Sequence, residues 1–157
     1  MSSNQNIVGL VIAVGLCLAV GFISGRSVPG EWYQALAKPT WTPPGWIFGP
    51  VWTLLYISMG VAAWLIWRQA GFSAAALPLA VFLIQLLLNG LWSWFFFGMQ
   101  NPGLAFVDIV ALWIAILATV ILFWMRQPTA GWLLLPYLAW VRFASALNFA
   151  IWRMNQC

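Results

Sequence analysis

Five long apolar runs dominate the chain, at about 7–24, 46–67, 75–97, 104–124 and 131–152, separated by short polar or Pro/Gly-bearing joints. Each is close to the roughly 20 residues that an α-helix needs to cross a hydrocarbon core. The joints MQNPG (Met99–Gly103) and RQPTAG (Arg126–Gly131) carry the proline and glycine of tight turns. The joint 26–45 is longer and proline-rich, and within it GEWYQALA (Gly30–Ala37) lacks proline and suits a short interfacial helix. No cation precedes the first run and four runs follow it, so it reads as a retained helix and not a signal peptide. The pattern predicts an all-α fold: one integral membrane domain, 1–157, a bundle of five transmembrane helices with a short helix-containing first loop.

Composition agrees. The chain is 64% hydrophobic and 5% charged, against about a quarter charged in ordinary globular chains. Its six cations are scattered beside the apolar runs, where they suit lipid headgroups. No basic cluster exists to neutralise phosphates, so membrane lipid is the expected partner and nucleic acid is not. Arg68 and Arg126 share one side of the membrane with the N-terminus, while Arg26, Lys38 and Arg153 share the other. That near-balance, with Glu31 offsetting the larger group, leaves orientation open. The chain has no histidine, two carboxylates (Glu31 and Asp108) and two cysteines (Cys17 and Cys157). Hydrolytic or metal-dependent catalysis is therefore not expected, nor is a disulfide framework.

Stripes along the runs mark candidate walls. Gln85, Asn89 and Ser93 recur every fourth position, so they share one helix face. In hydrocarbon that face must meet other helices, as hydrogen-bonding glue, or a ligand. Tyr137, Trp140, Ala144, Leu147 and Asn148 share a face within about 100°, where a small residue between large ones makes a notch. Trp52 and Tyr56 form a similar pair. Trp46, Trp64, Trp67, Trp124, Trp132 and Trp152 fall near run ends and suit an aromatic belt. Trp52, Trp92, Trp94, Trp113 and Trp140 lie deeper, as packing or as the wall of a pocket.

Three segments together resemble one family. EWYQALAKPTWTPPGWIFGPVWTLLY (Glu31–Tyr56), LNGLWSWFFFG (Leu88–Gly98) and LLPYLAWVRFASALNF (Leu134–Phe149) are similar, in order and across nearly the whole chain, to the tryptophan-rich sensory protein / translocator protein family. Its mammalian members are known as the peripheral benzodiazepine receptor. The resemblance implies a five-helix bundle, commonly a homodimer, with a pocket between the helices capped by the first loop as a lid, 26–45. It implies a porphyrin ligand, protoporphyrin IX or a related tetrapyrrole, with no cofactor required. Carried over by position, it implies ligand contacts at Tyr33, Trp52, Tyr56, Asn89, Phe95, Trp140, Ala144 and Leu147. Trp52 and Trp140 are also the residues on which light-dependent porphyrin degradation would depend. Arg26 or Lys38 at the mouth would suit the propionates. Arg142 has no counterpart in the family pattern, and reads as snorkelling, as pairing with Asp108, or as a contact across a dimer.

Three functions stay open at this point: a tetrapyrrole-binding sensor or regulator, a transporter of porphyrins or lipids, and a light-dependent porphyrin-degrading enzyme. The first fits best, because no run shows the paired broken helices or midplane ionisable chain of a transporter. Small-residue pairs, Gly21 with Gly25 and Ala76 with Ala80, offer close helix approach, and the Ala76/Ala80 face is the expected dimer seam.

Overall fold

The computed structural model describes residues 2–26 and 30–156. Residues 27–29 of the expected lid, and Cys157, lie outside the described residues. Helices run in the order α1 (Ser3–Ser24), α2 (Glu31–Ala35), α3 (Gly45–Ser93), α4 (Pro102–Arg126) and α5 (Pro128–Met154), with a π-helical turn, Trp94–Gly98, following α3. Pro102 and Pro128 open their helices at a position where the missing N–H is no loss. At the start of α4 the Asn101 side chain also accepts from the Leu104 amide at 3.0 Å.

The second and third expected spans are the two arms of α3. Gly71 breaks them at φ 70°, ψ −178°, a backbone conformation that residues with a Cβ rarely adopt. Contacts across the break show a hairpin: Tyr56 meets Asn89, and Met59 meets Gln85. The chain thus crosses the membrane five times. The third span differs from its expected course at the end, where regular helix stops at Ser93. The next residues form the wider turn, closed by a Met99 amide bond of 2.8 Å to the Trp94 carbonyl, five residues back.

α3 is the hub, touching α1, α4 and α5, while α4 and α5 pack on each other. α1 buries only Cys17 among its described residues and shows apolar surface almost all round, as a lipid-facing helix does. Its approach to α3 is set by glycines. A Cβ on Gly60 would stand 2.5 Å from the Val14 Cα, and one on Gly21 would stand 2.6 Å from the Tyr56 ring. Gly21 therefore serves packing inside the chain. Trp64 adds a hydrogen bond of 2.9 Å to the Asn6 carbonyl, and the Trp67 ring covers Gly9. Two belt tryptophans are thus also fasteners for α1, whereas Trp46 and Trp132 stand out from the bundle as belt residues should.

Candidate functional site

A cavity of about 780 Å³ lies between the helices beneath α2, within the range usual for small-molecule sites. Its walls follow from helical spacing. The first arm of α3 brings Phe48, Trp52 and Tyr56, four apart, down one side. α5 brings Trp140, Ala144, Leu147 and Asn148 down another, and the second arm brings Asn89, Trp92 and Ser93. The π-helical turn adds Phe96 and Phe97, α1 adds Leu18 and Phe22, and α2 closes the top with Tyr33 and Gln34.

Two of the ring pairs are set edge to face: Trp52 and Trp140 stand 6.5 Å apart at 87°, and Phe48 meets Trp140 at 5.9 Å and 68°. Trp52 and Tyr56, 5.7 Å apart, are tilted by only 31°. Below them runs a chain of hydrogen bonds. The Tyr56 hydroxyl donates to Asn89 Oδ1 (2.5 Å), Asn89 Nδ2 donates to Tyr137 Oη (2.8 Å), and the Tyr137 hydroxyl donates to Gln85 Oε1 (2.7 Å). Trp92 Nε1 donates to Asn148 Oδ1, whose amide nitrogen donates in turn to the Pro102 carbonyl, both at 2.9 Å. The polar stripe thus serves both readings: Gln85 is glue between helices, Asn89 is glue and wall, and Ser93 is wall.

The lid is stiffened from within by Lys38 and tied to the bundle at Asn155 and Phe96. Lys38 Nζ turns back under it, donating to the carbonyls of Tyr33 (2.7 Å), Leu36 (3.0 Å) and Gln34 (3.4 Å), and lies 4.7 Å from the Tyr33 ring centroid. The Asn155 side chain, at the end of α5, pairs with both peptide groups of Ala37, at 3.0 and 2.9 Å. Trp32 and Tyr33 rest edge-on against Phe96 at 5.8 and 6.2 Å. Burial there pushes the Tyr33 phenol above its ordinary pKa, so it stays neutral at the mouth.

Of the expected contact residues, Tyr33, Trp52, Tyr56, Asn89, Trp140, Ala144 and Leu147 meet in this one cavity. Phe95 does not. Phe96 and Phe97, three and four residues beyond Ser93, line the cavity, whereas Phe95 is half-buried beside the cluster around Phe96 and tilts against Trp94. Among the deep tryptophans, Trp52, Trp92 and Trp140 are walls, Trp113 packs in the core, and Trp94 is 53% exposed to the outside. Lys38 is not free for a ligand's carboxylate, since its donors are used within the lid. Arg142 does not pair with Asp108: it is exposed, while the buried Asp108 Oδ2 has no hydrogen-bond partner among the described residues. Phe48, Phe96 and Phe97 went unmarked in sequence, because an aromatic residue in an apolar run by itself carries no sign of which way it faces.

The chemistry offered is uniform. No charged side chain is among the described residues lining the cavity. Among the described residues, Trp140 Nε1 is a buried indole donor without a hydrogen-bond partner. Flat ring faces, amides and hydroxyls are the groups that the wall offers.

The comparisons agree with this architecture. The chain is 45% identical to the tryptophan-rich protein TspO of Chlorobaculum tepidum, covering 97% of this chain and 99% of that protein. It is 46% identical to the TspO of the archaeon Archaeoglobus fulgidus, covering 96% and 99%. It is 41% identical to the human translocator protein, covering 92% and 90%. Residues 11–153 match the model of the TspO/MBR family. A five-pass bundle with a lidded cavity and relatives of this closeness make the chain a multi-pass integral membrane protein of sensory or binding type, and it belongs to the TspO/MBR family.

Proposed function

We propose that the chain binds a planar tetrapyrrole, protoporphyrin IX or a close relative, and acts as a membrane-embedded sensor or regulator of tetrapyrrole metabolism. The observation that carries this reading is the cavity itself: about 780 Å³, walled by Trp52, Trp140, Tyr56 and Phe48, and free of charged side chains among the described residues. A macrocycle stacks on such rings. Its two carboxylates cannot be neutralised inside and belong at the mouth, where Arg26 is exposed at the end of α1. The rigid edge-to-face pairing of Trp52 with Trp140 supports a second reading, light-dependent loss of the bound porphyrin with dioxygen as oxidant and the indoles as participants. The protein works as a homodimer in this proposal, through the exposed Ala76 and Ala80 on the second arm of α3.

One experiment tests both readings. Purified protein is titrated with protoporphyrin IX, following tryptophan quenching, and its absorbance is then recorded in light and in darkness. Saturable quenching with stable absorbance supports the sensor, and loss in light alone supports the enzyme. Quenching that never saturates rejects the porphyrin.

A further inference from the structure

We infer that the cavity exchanges its occupant sideways with the bilayer, through a slot between α1 and the first arm of α3, and not with water through the lid. The ligand class that follows is a compound dissolved in the lipid phase. This rests on the ligand-binding reading above and concerns its route.

α1 runs antiparallel to the first arm, in a register marked by Gly9 on Trp67, Val14 on Gly60 and Gly21 on Tyr56. Continuing that register sets Phe22 and Gly25 level with Thr53 and Gly49. There the helices part. A Cβ on Gly49 would meet no heavy atom within 4 Å, and one on Gly25 would meet only carbonyls of its own helix. Phe22, Gly49 and Thr53 all line the cavity, yet Phe22 is 73% exposed and the other two are exposed as well. Residues that face a cavity and the outside at once mark an opening. Its edge is compatible with hydrocarbon, because the Thr53 hydroxyl is spent on the Gly49 carbonyl at 2.8 Å. Arg26 lies one turn beyond Phe22, so the slot sits near the boundary of hydrocarbon and headgroups, where an acid-bearing aromatic molecule collects.

The lid offers the harder path. Opening it breaks the two Asn155 bonds to Ala37 and the ring contacts on Phe96 together. Parting the slot breaks no hydrogen bond between Phe22 or Gly25 and the first arm among the described residues.

Two variants separate the routes. Tryptophan at position 49 has free space and a better helix propensity than glycine, and it would plug the slot. In lipid nanodiscs, with protoporphyrin IX followed by stopped-flow quenching, Gly49→Trp should slow both association and dissociation at least tenfold. Slower dissociation cannot come from lost contacts. Asn155→Ala, which unfastens the lid, should change both rates less than twofold. Unchanged rates in Gly49→Trp with faster exchange in Asn155→Ala would overturn the slot. A second measurement needs no porphyrin. Ala144→Cys, with Cys17→Ala and Cys157→Ser, reports access to the cavity by maleimide labelling. A pyrene maleimide dissolved in the lipid should label it at least tenfold faster than a charged, impermeant maleimide, and Gly49→Trp should remove that advantage. Equal labelling by both reagents overturns the slot. Should protoporphyrin fail to bind at all, the porphyrin reading falls while the labelling still decides the route.

Discussion

Asn89 stands between two tyrosines, accepting from the Tyr56 hydroxyl at 2.5 Å and donating to the Tyr137 oxygen at 2.8 Å. One amide thereby ties both arms of α3 to α5 just under the cavity. Asn89→Leu leaves a buried hydroxyl without its acceptor. Such a loss costs about 1–3 kcal/mol in proteins generally, while single bonds between membrane helices average about 0.6 kcal/mol. With two bonds removed, destabilisation of about 1–2 kcal/mol is expected, measured as a lower midpoint of thermal unfolding in detergent. A midpoint within error of the parent would mean that the tyrosines find other partners.

Ala144 lies beside Trp140 on the cavity wall. Ala144→Leu fills the notch, and a packed bundle yields extra volume at a cost of about 1–3 kcal/mol. Protoporphyrin affinity should fall at least tenfold by fluorescence titration. Trp52→Phe and Trp140→Phe keep a ring but lose the indole N–H, and should each weaken binding by about 1 kcal/mol. Any light-driven porphyrin loss should vanish in both. Full affinity in Ala144→Leu would put the ligand elsewhere.

Deleting residues 30–37 removes Tyr33 and the seat of Lys38 but no transmembrane helix. Porphyrin binding should weaken while helix content by circular dichroism stays close to the parent's. An unchanged affinity would remove the lid from the site.

Gly60 and Gly15 make a contrasting pair. Alanine at 60 drives its Cβ into the Val14 backbone, which cannot swing aside as a side chain would, so α1 must shift. A loss of about 1–3 kcal/mol is expected. Alanine at 15 meets nothing within 4 Å and should be neutral or stabilising by less than about 1 kcal/mol. Thermal midpoints of the two variants, compared side by side, check the α1–α3 contact.

On the second arm, Ala76, Leu77 and Ala80 all face outward. Replacing Ala76 and Ala80 with leucine should convert a dimer to monomers in detergent, read by light scattering. An unchanged mass would reject this seam.

Much of the site was legible because helical spacing is arithmetic. Trp52 with Tyr56, and Trp140 with Ala144 and Leu147, reach one cavity because residues three or four apart share a face. Gln85 and Asn89 were legible as a buried stripe because amides in hydrocarbon must find partners. Phe95 was expected from the resemblance alone, and helical arithmetic points elsewhere: counted from Asn89 it lies about 120° off the cavity face, where Phe96 lies only about 20° off. The inward turn of Lys38 was not legible: an isolated cation in a polar loop looks free until the carbonyls around it are known. Gly71 could be counted as a joint, but the near-continuous helix on either side could not, since both flanks are equally apolar.

The π-helical turn at Trp94–Gly98 holds one residue more than an α-helical turn would, as though a single codon had been slipped into a regular helix. Removing one residue there would let the α-helical ladder close again and turn every later side chain by about 100°. The aromatic seat under the lid would rotate away from Tyr33, and the reach to Asn101 and Pro102 would shorten by one step. In this segment length matters as much as identity. Gaining or losing one residue here would reshape the cavity with no change in the composition of its wall.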